Sequence, residues 1–289
     1  MANILQNTPS LVLLGIFLAL SIAGIIKLTV VRRSALGCYL SYSWVFFLIL
    51  VIGDLFSFYV ATWGFGILCF FILREYFSLV DLRPQDRLGI LASYFSIPFM
   101  MHFVHTDWYN MFIITIPVYS FLFIPFLISI TGKDYNGAIY SIGTIDFGLF
   151  LFVFCIGHLA YLSFHSIWMA AMLVLNIMIC DLSAFLIDKK TYKKWQEIMF
   201  KYFSSISFTV ILTMLLSGWT GIPINHSIIL GLMIPAIVLI GNHTIIYFEK
   251  DLGIVRENTK PGRGLIIDNI KSILYAAPVV LHYIRYFIF

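Results

Sequence analysis

The chain has 289 residues, 61% apolar and 11% charged, with a formal net charge of +4 and a mean hydropathy of +0.97. A soluble globule of this size carries about a quarter of its residues as charges, so most of this surface must face lipid. The small positive balance suits anionic headgroups and argues against nucleic acid as a partner, which needs a dense basic patch.

A spanning helix needs about 20 mostly apolar residues. The apolar runs, in chain order, are 11–31, 44–53, 55–73, 88–104, 108–130, 147–164, 167–187, 203–219, 226–248 and 273–289. No basic stretch precedes Leu11 and no small-residue cleavage site precedes Arg32-Arg33, so the first run reads as a retained helix rather than a signal peptide. The run 44–53 is too short to span alone and Gly53-Asp54 interrupts it, so a hairpin-like pair of short helices is expected there. The fold class is therefore all-α, a polytopic integral membrane protein with about eight or nine transmembrane segments. Three stretches are expected: residues 1–43 as an N-terminal transmembrane helix and cytoplasmic linker, 44–164 as a membrane scaffold, and 165–289 as a C-terminal membrane domain carrying the site.

Basic residues set the orientation. Lys27, Arg32 and Arg33 close the first helix; Arg74, Arg83 and Arg87 fill a later connection; Lys133 the next. Lys189, Lys190, Lys193, Lys194 and Lys201 form one cluster, and Lys250, Arg256, Lys260, Arg263 and Lys271 another. With an outside N-terminus all of these fall on one face, which the positive-inside bias makes cytoplasmic; Arg285 alone falls elsewhere. The expected location is the plasma (inner) membrane with the site facing the cytoplasm. Cys38, Cys69, Cys155 and Cys180 are scattered in or beside apolar runs, without a CxxC pair or a His at ligand spacing, and read as packing residues.

Chemistry is expected where carboxylates meet lysines. Asp181 lies near the cytoplasmic end of an apolar helix, Asp268 follows Pro261-Gly262-Arg263-Gly264, and Asp54 reads as a break or cap. Two carboxylates near one membrane face suit a divalent metal held against phosphates, although a solvated helix end for Asp181 and an N-cap for Asp268 remain alternatives. Gly253, Gly262 and Gly264 let backbone amides approach an anion, and Lys250, Arg256, Lys260 and Arg263 can neutralise phosphate; a basic loop of this kind can equally be a lipid-facing anchor.

The full pattern carries more than the composition. Gly241-Asn242-His243-Thr244, Glu249-Lys250-Asp251-Leu252-Gly253-Ile254, Pro261-Gly262-Arg263-Gly264-Leu265-Ile266-Ile267-Asp268, Ser272 and Ala276-Ala277-Pro278-Val279 resemble the C-terminal signature of the phosphatidate cytidylyltransferases, the CDP-diacylglycerol synthases. Asp181-Leu182-Ser183-Ala184-Phe185 resembles the family's D-x-x-A-Y element, Lys189-Lys190-Thr191 its lysine loop, and Leu73-Arg74-Glu75-Tyr76 its L-R-E element. The resemblance runs from about Trp44 to Phe289 and identifies the chain as a divergent member.

That resemblance implies CTP-dependent cytidylyl transfer to phosphatidate, giving CDP-diacylglycerol and pyrophosphate. It implies Mg²⁺ as cofactor, held by Asp181, Asn242 and Asp268, with Asp181 and Asp268 catalytic. Lys189, Lys190, Lys250, Gly262, Arg263 and Gly264 would contact substrate phosphates. The implied partners are CTP and phosphatidate or a related phospholipid, together with membrane lipids; a homodimer is left open. The sequence departs from the signature at several positions. Asn242 stands where the family has a metal-binding Asp, Glu249-Lys250 replaces Lys-Arg, and Ile246 replaces a Ser. Arg263 replaces a His, Leu265 a Gly, Asn269 an Arg and Lys271 an Asp. The alternative function is a catalytically degenerate homologue that binds lipid or a partner membrane protein. A transporter would place its polar path at mid-membrane depth, whereas these carboxylates sit near one face.

Overall fold

In hydrocarbon every backbone N–H and C=O must be paired within its own segment or a closed barrel, which leaves a chain this apolar the α-helix. The computed structural model describes residues 8–30, 35–131, 135–187, 194–251 and 265–289, and no strand occurs among them. The long helices are α1 (Thr8–Val30), α2 (Ala35–Leu55), α3 (Phe58–Leu79), α4 (Arg87–His105), α5 (Tyr109–Ile130), α6 (Ala138–His165), α7 (Ile167–Ile187), α8 (Lys194–Leu215), α9 (Ile224–Asp251) and α10 (Leu265–Phe287). Among the described residues α3 to α9 each contain a stretch long and apolar enough to cross a membrane, so the protein is a polytopic membrane protein.

Four boundaries differ from the hydropathy reading. The expected pair of short helices is two full-length ones: α2 starts at Ala35 and continues through Gly53-Asp54. The chain turns at Phe56, and Ser57 caps α3 by accepting the N–H of Tyr59. Gly53 is there for contact, not for a break. A Cβ on it would lie 2.5 Å from the Cβ of Ala61, so its absence lets α2 and α3 cross closely. Helices α6, α8 and α10 begin nine, nine and eight residues earlier than the apolar runs at 147, 203 and 273. Their extra turns carry Asp146, Asp268 and Lys271, which a hydropathy window discards.

The core is built around α6 and α7. Every residue from Leu151 to Ser163 on α6 is buried, and α7 is buried from Trp168 to Val174. Gly148 on α6 seats the ring of Tyr76, whose hydroxyl donates to the carbonyl of Thr144 at 3.0 Å. Helices α8 and α9 meet backbone to backbone. A Cβ on Gly231 would stand 2.6 Å from the Cα of Val210, and the Thr209 hydroxyl donates across to the carbonyl of Gly231 at 2.8 Å. Cys69, Cys155 and Cys180 are buried free thiols, as packing residues should be.

Up-and-down alternation brings the C-terminal ends of α3, α7 and α9 and the N-terminal ends of α4, α8 and α10 together at one end of the bundle, the basic end. There Arg83 pairs with Asp86 at 2.7 Å and donates to the carbonyl of Asn136 at 2.6 Å. These bonds tie the connection before α4 to the start of the turn before α6.

Candidate functional site

The site forms where α7, α9 and α10 converge near the basic end. Its geometry depends first on Gly241. A Cβ there would lie 2.8 Å from the Cβ of Tyr275, so α9 and α10 approach as closely as they do only because none is present. That approach places Asn242 of α9 within reach of Ser272 of α10. Asp181 reaches both from α7.

The three side chains form one network. The Ser272 hydroxyl lies 2.7 Å from Asp181 Oδ1 and 2.8 Å from Asn242 Oδ1, and Asn242 Nδ2 donates to Asp181 Oδ1 at 3.3 Å. A serine hydroxyl has one proton to give. It faces two acceptors, and the Asn242 amide brings a further proton to Asp181 Oδ1. Ser272 is buried and the other two are half-buried, so the network is partly shielded from water. Such a knot of hard oxygens is the donor set that Mg²⁺ takes, one or two carboxylates completed by neutral oxygens, water and substrate phosphates. Among the described residues no three His, Cys, Asp or Glu side chains gather.

Asp268 lies in α10 one helical turn before Ser272, about 6 Å along the axis at 1.5 Å per residue. Its side chain falls outside the described residues, as do Lys189, Lys190, Gly262, Arg263 and Gly264. Lys250 is described: it is exposed in the last turn of α9, two turns beyond Asn242 on the side of the basic end.

Two residues that residue chemistry alone did not single out complete the arrangement. Ser272 is the hub of the network, and its signal was its spacing, four residues after Asp268 and so on the same helical face. Glu75 of α3 is the second. Its Oε2 accepts the N–H groups of Ile266 at 3.0 Å and Ile267 at 3.2 Å, taking up orphan donors in the first turn of α10. A carboxylate from a helix about 190 residues earlier thus fixes the start of the helix that carries Asp268 and Ser272.

With this geometry in hand, comparison with known proteins is decisive. The family model of the cytidylyltransferases matches residues 39–287, nearly the whole chain. The chain belongs to the cytidylyltransferase family. A relative, an uncharacterised Escherichia coli K12 protein, YnbB, is 24% identical over 245 residues, which cover 77% of this chain and 78% of the relative. No solved structure matches. Family membership supports cytidylyl transfer as the class of activity, with CTP and a lipid or phosphate acceptor as its substrates.

The family also puts the departures into relief. Asn242, in the Asp position, is not a bystander but bonded to both Asp181 and Ser272. Glu249 and Lys271, which reverse the charge of their family counterparts, are 5% and 3% exposed, so both reversed charges lie inside the helix packing rather than in solvent. Charges at such positions are retained only where neighbours compensate them.

Proposed function

We propose that the protein transfers the cytidylyl group of CTP to phosphatidate at the α7–α9–α10 site, releasing pyrophosphate. The observation that carries this reading is the convergence of the Asp181 carboxylate, the Asn242 amide and the Ser272 hydroxyl from three helices within hydrogen-bond distance of one another. In the reaction a phosphate oxygen of phosphatidate forms a bond to the α-phosphorus of CTP. The bond from that phosphorus to the bridging oxygen breaks, and pyrophosphate leaves with the electron pair. Little covalent work falls to the protein, and positioning and charge neutralisation supply most of the acceleration.

Asp181, Asn242 and Ser272, with Asp268 one turn away, would hold Mg²⁺, whose charge would offset that of the triphosphate and the phosphate acceptor. Ser272 keeps the two α7 and α9 side chains in register. Glu75 holds the N-terminus of α10 in place, and Lys250 with Lys189, Lys190, Arg263 and the glycines Gly262 and Gly264 would bind phosphate oxygens. The basic end faces the cytoplasm in this reading, which gives the site access to CTP while the acyl chains of the acceptor stay in the bilayer of the inner membrane.

Purified protein incubated with labelled CTP, phosphatidate and Mg²⁺ should place the label in lipid. Asp181→Asn and Asp268→Asn should each lower that rate by about a hundredfold or more, the scale of losing one preorganised charge contact at a phosphoryl centre. A wild-type rate insensitive to both changes would remove the metal-site mechanism. Absence of any labelled lipid with every phospholipid acceptor tried would favour the binding-only homologue, for which the neutral Asn242 and the buried Glu249 and Lys271 speak.

A further inference from the structure

The opposite end of the bundle holds a second polar arrangement, independent of the site above. Arg285, the one cation that the segregation of basic residues leaves out, lies in the last turn of α10. Its guanidinium carbon stands 3.7 Å above the ring centre of Tyr109, at the start of α5. Beside it, the fully buried Tyr161 of α6 donates its hydroxyl to Asp107 Oδ1. The rings of Tyr109 and Tyr161 meet edge to face, with centroids 5.5 Å apart.

Two opposite charges are therefore held by two adjacent tyrosines, yet no ion pair joins Arg285 to Asp107. Pairing directly would be the default for an isolated cation and anion at a membrane edge. Instead each is fixed by its own aromatic partner. Asp107 is exposed and is the one non-glycine among the described residues with a positive φ, 53°, a conformation that is uncommon for L-residues. Trp108, 55% exposed, marks this as headgroup depth, where tryptophan and tyrosine concentrate. The Tyr109 hydroxyl is within 3.2 Å of His282 Nδ1, adding another polar group on the Arg285 side.

We infer that Asp107 and Arg285 form a binding site for a zwitterionic phospholipid headgroup of the phosphoethanolamine type, drawn from the leaflet opposite the basic end. The phosphate lies against Arg285 and His282, and the ammonium donates to Asp107. A headgroup with both charges on a two-carbon spacer satisfies both residues at once, and an anionic headgroup leaves Asp107 facing like charge. A quaternary ammonium lacks the N–H to bond the carboxylate.

The test uses the full-length protein, delipidated in detergent, with native mass spectrometry counting retained lipid. Dioleoyl phosphatidylethanolamine, phosphatidylglycerol and phosphatidylcholine are compared, and the retention lost in Arg285→Gln isolates this site from lipid held at the basic end. The expected result is one phosphatidylethanolamine per chain whose retention falls about tenfold or more in both Arg285→Gln and Asp107→Asn, the scale of a lost charge-assisted hydrogen bond. Tyr109→Phe keeps the ring beneath Arg285 but removes the hydroxyl that meets His282, and should retain more lipid than Arg285→Gln. Arg285-dependent retention of phosphatidylglycerol or phosphatidylcholine equal to that of phosphatidylethanolamine would overturn the inference. So would equal thermal stabilisation by soluble phosphoethanolamine, which would assign the site to a free ligand. Loss of lipid in Tyr109→Phe as complete as in Arg285→Gln would overturn it too, by showing that retention follows folding and not the two charges.

Discussion

Ser272 has one proton and two oxygen neighbours, and that imbalance leads to a measurable consequence at Asn242. The amide now donates to Asp181 and so relieves some of the crowding of negative charge. Asn242→Asp would replace that donor with a second carboxylate beside the first, and like charges at hydrogen-bond distance repel unless a cation or proton intervenes. The variant should therefore unfold at a lower temperature than wild type when divalent cations are chelated, and Mg²⁺ should raise its midpoint more than it raises that of wild type. Melting curves of purified protein with chelator and with Mg²⁺ provide the check; identical Mg²⁺ responses would show that no cation enters the knot. If the enzyme is limited by the missing charge, the same variant should also turn over CTP faster.

Two elements set the site without touching a substrate. Along α9, Gly241 permits the approach to α10, and Gly241→Ala would put a methyl group 2.8 Å from the Cβ of Tyr275. Neither atom is the end of a flexible chain, so the helices must separate by about 1 Å or tilt, and a displacement of that size in a positioned site costs about a hundredfold in rate. Activity should fall by that order while the protein still purifies as a folded species; retained activity would mean that the spacing of α9 and α10 is not critical. At the start of α10, Glu75→Ala leaves the N–H groups of Ile266 and Ile267 without their acceptor and removes a negative charge from the helix N-terminus. The expected loss is about 1–2 kcal/mol of stability. Glu75→Gln keeps an acceptor oxygen and should lose less, a difference that parallel denaturation curves of the two variants would expose.

Across the described residues, the ends of ten long helices alternate, so the stretches of sequence rich in Lys and Arg join helix ends on one side. The positive-inside bias predicts that this end faces the cytoplasm. Cysteines introduced at Lys193 and Lys260, in the sequence between α7 and α8 and between α9 and α10, should react with an impermeant thiol reagent only after the membrane is opened. Labelling of either in intact cells would reverse the orientation, and with it the supply of CTP to the site.

Much of this was readable before any coordinates. Hydropathy alone required an all-α membrane protein, because a chain with so few charges cannot cover itself in water and an unpaired backbone cannot sit in lipid. The signature around Asp181, Asn242 and Asp268 pointed to the family that the match over 39–287 then showed. Helix ends were the poorer reading. Windows of apolar residues stop at the first charge, so they leave out the initial turns of α6, α8 and α10, whereas a helix continues wherever neighbouring helices shield or bond its polar side chains. Likewise Gly53-Asp54 looked like a break, because a glycine that permits close packing and a glycine that ends a helix are the same letter.

Sequence by itself determined class and the residue types available for phosphate chemistry, since these depend on composition and local order alone. Only the tertiary structure decided which of those residues meet. Ser272 became the hub because Gly241 brings two helices together; Glu75 became a helix cap for a segment about 190 residues away; Arg285 and Asp107 came to stand near each other without pairing. Contacts of that kind are set by how helices pack in three dimensions, and helix packing depends on side chains far apart in the chain, so no local window carries them.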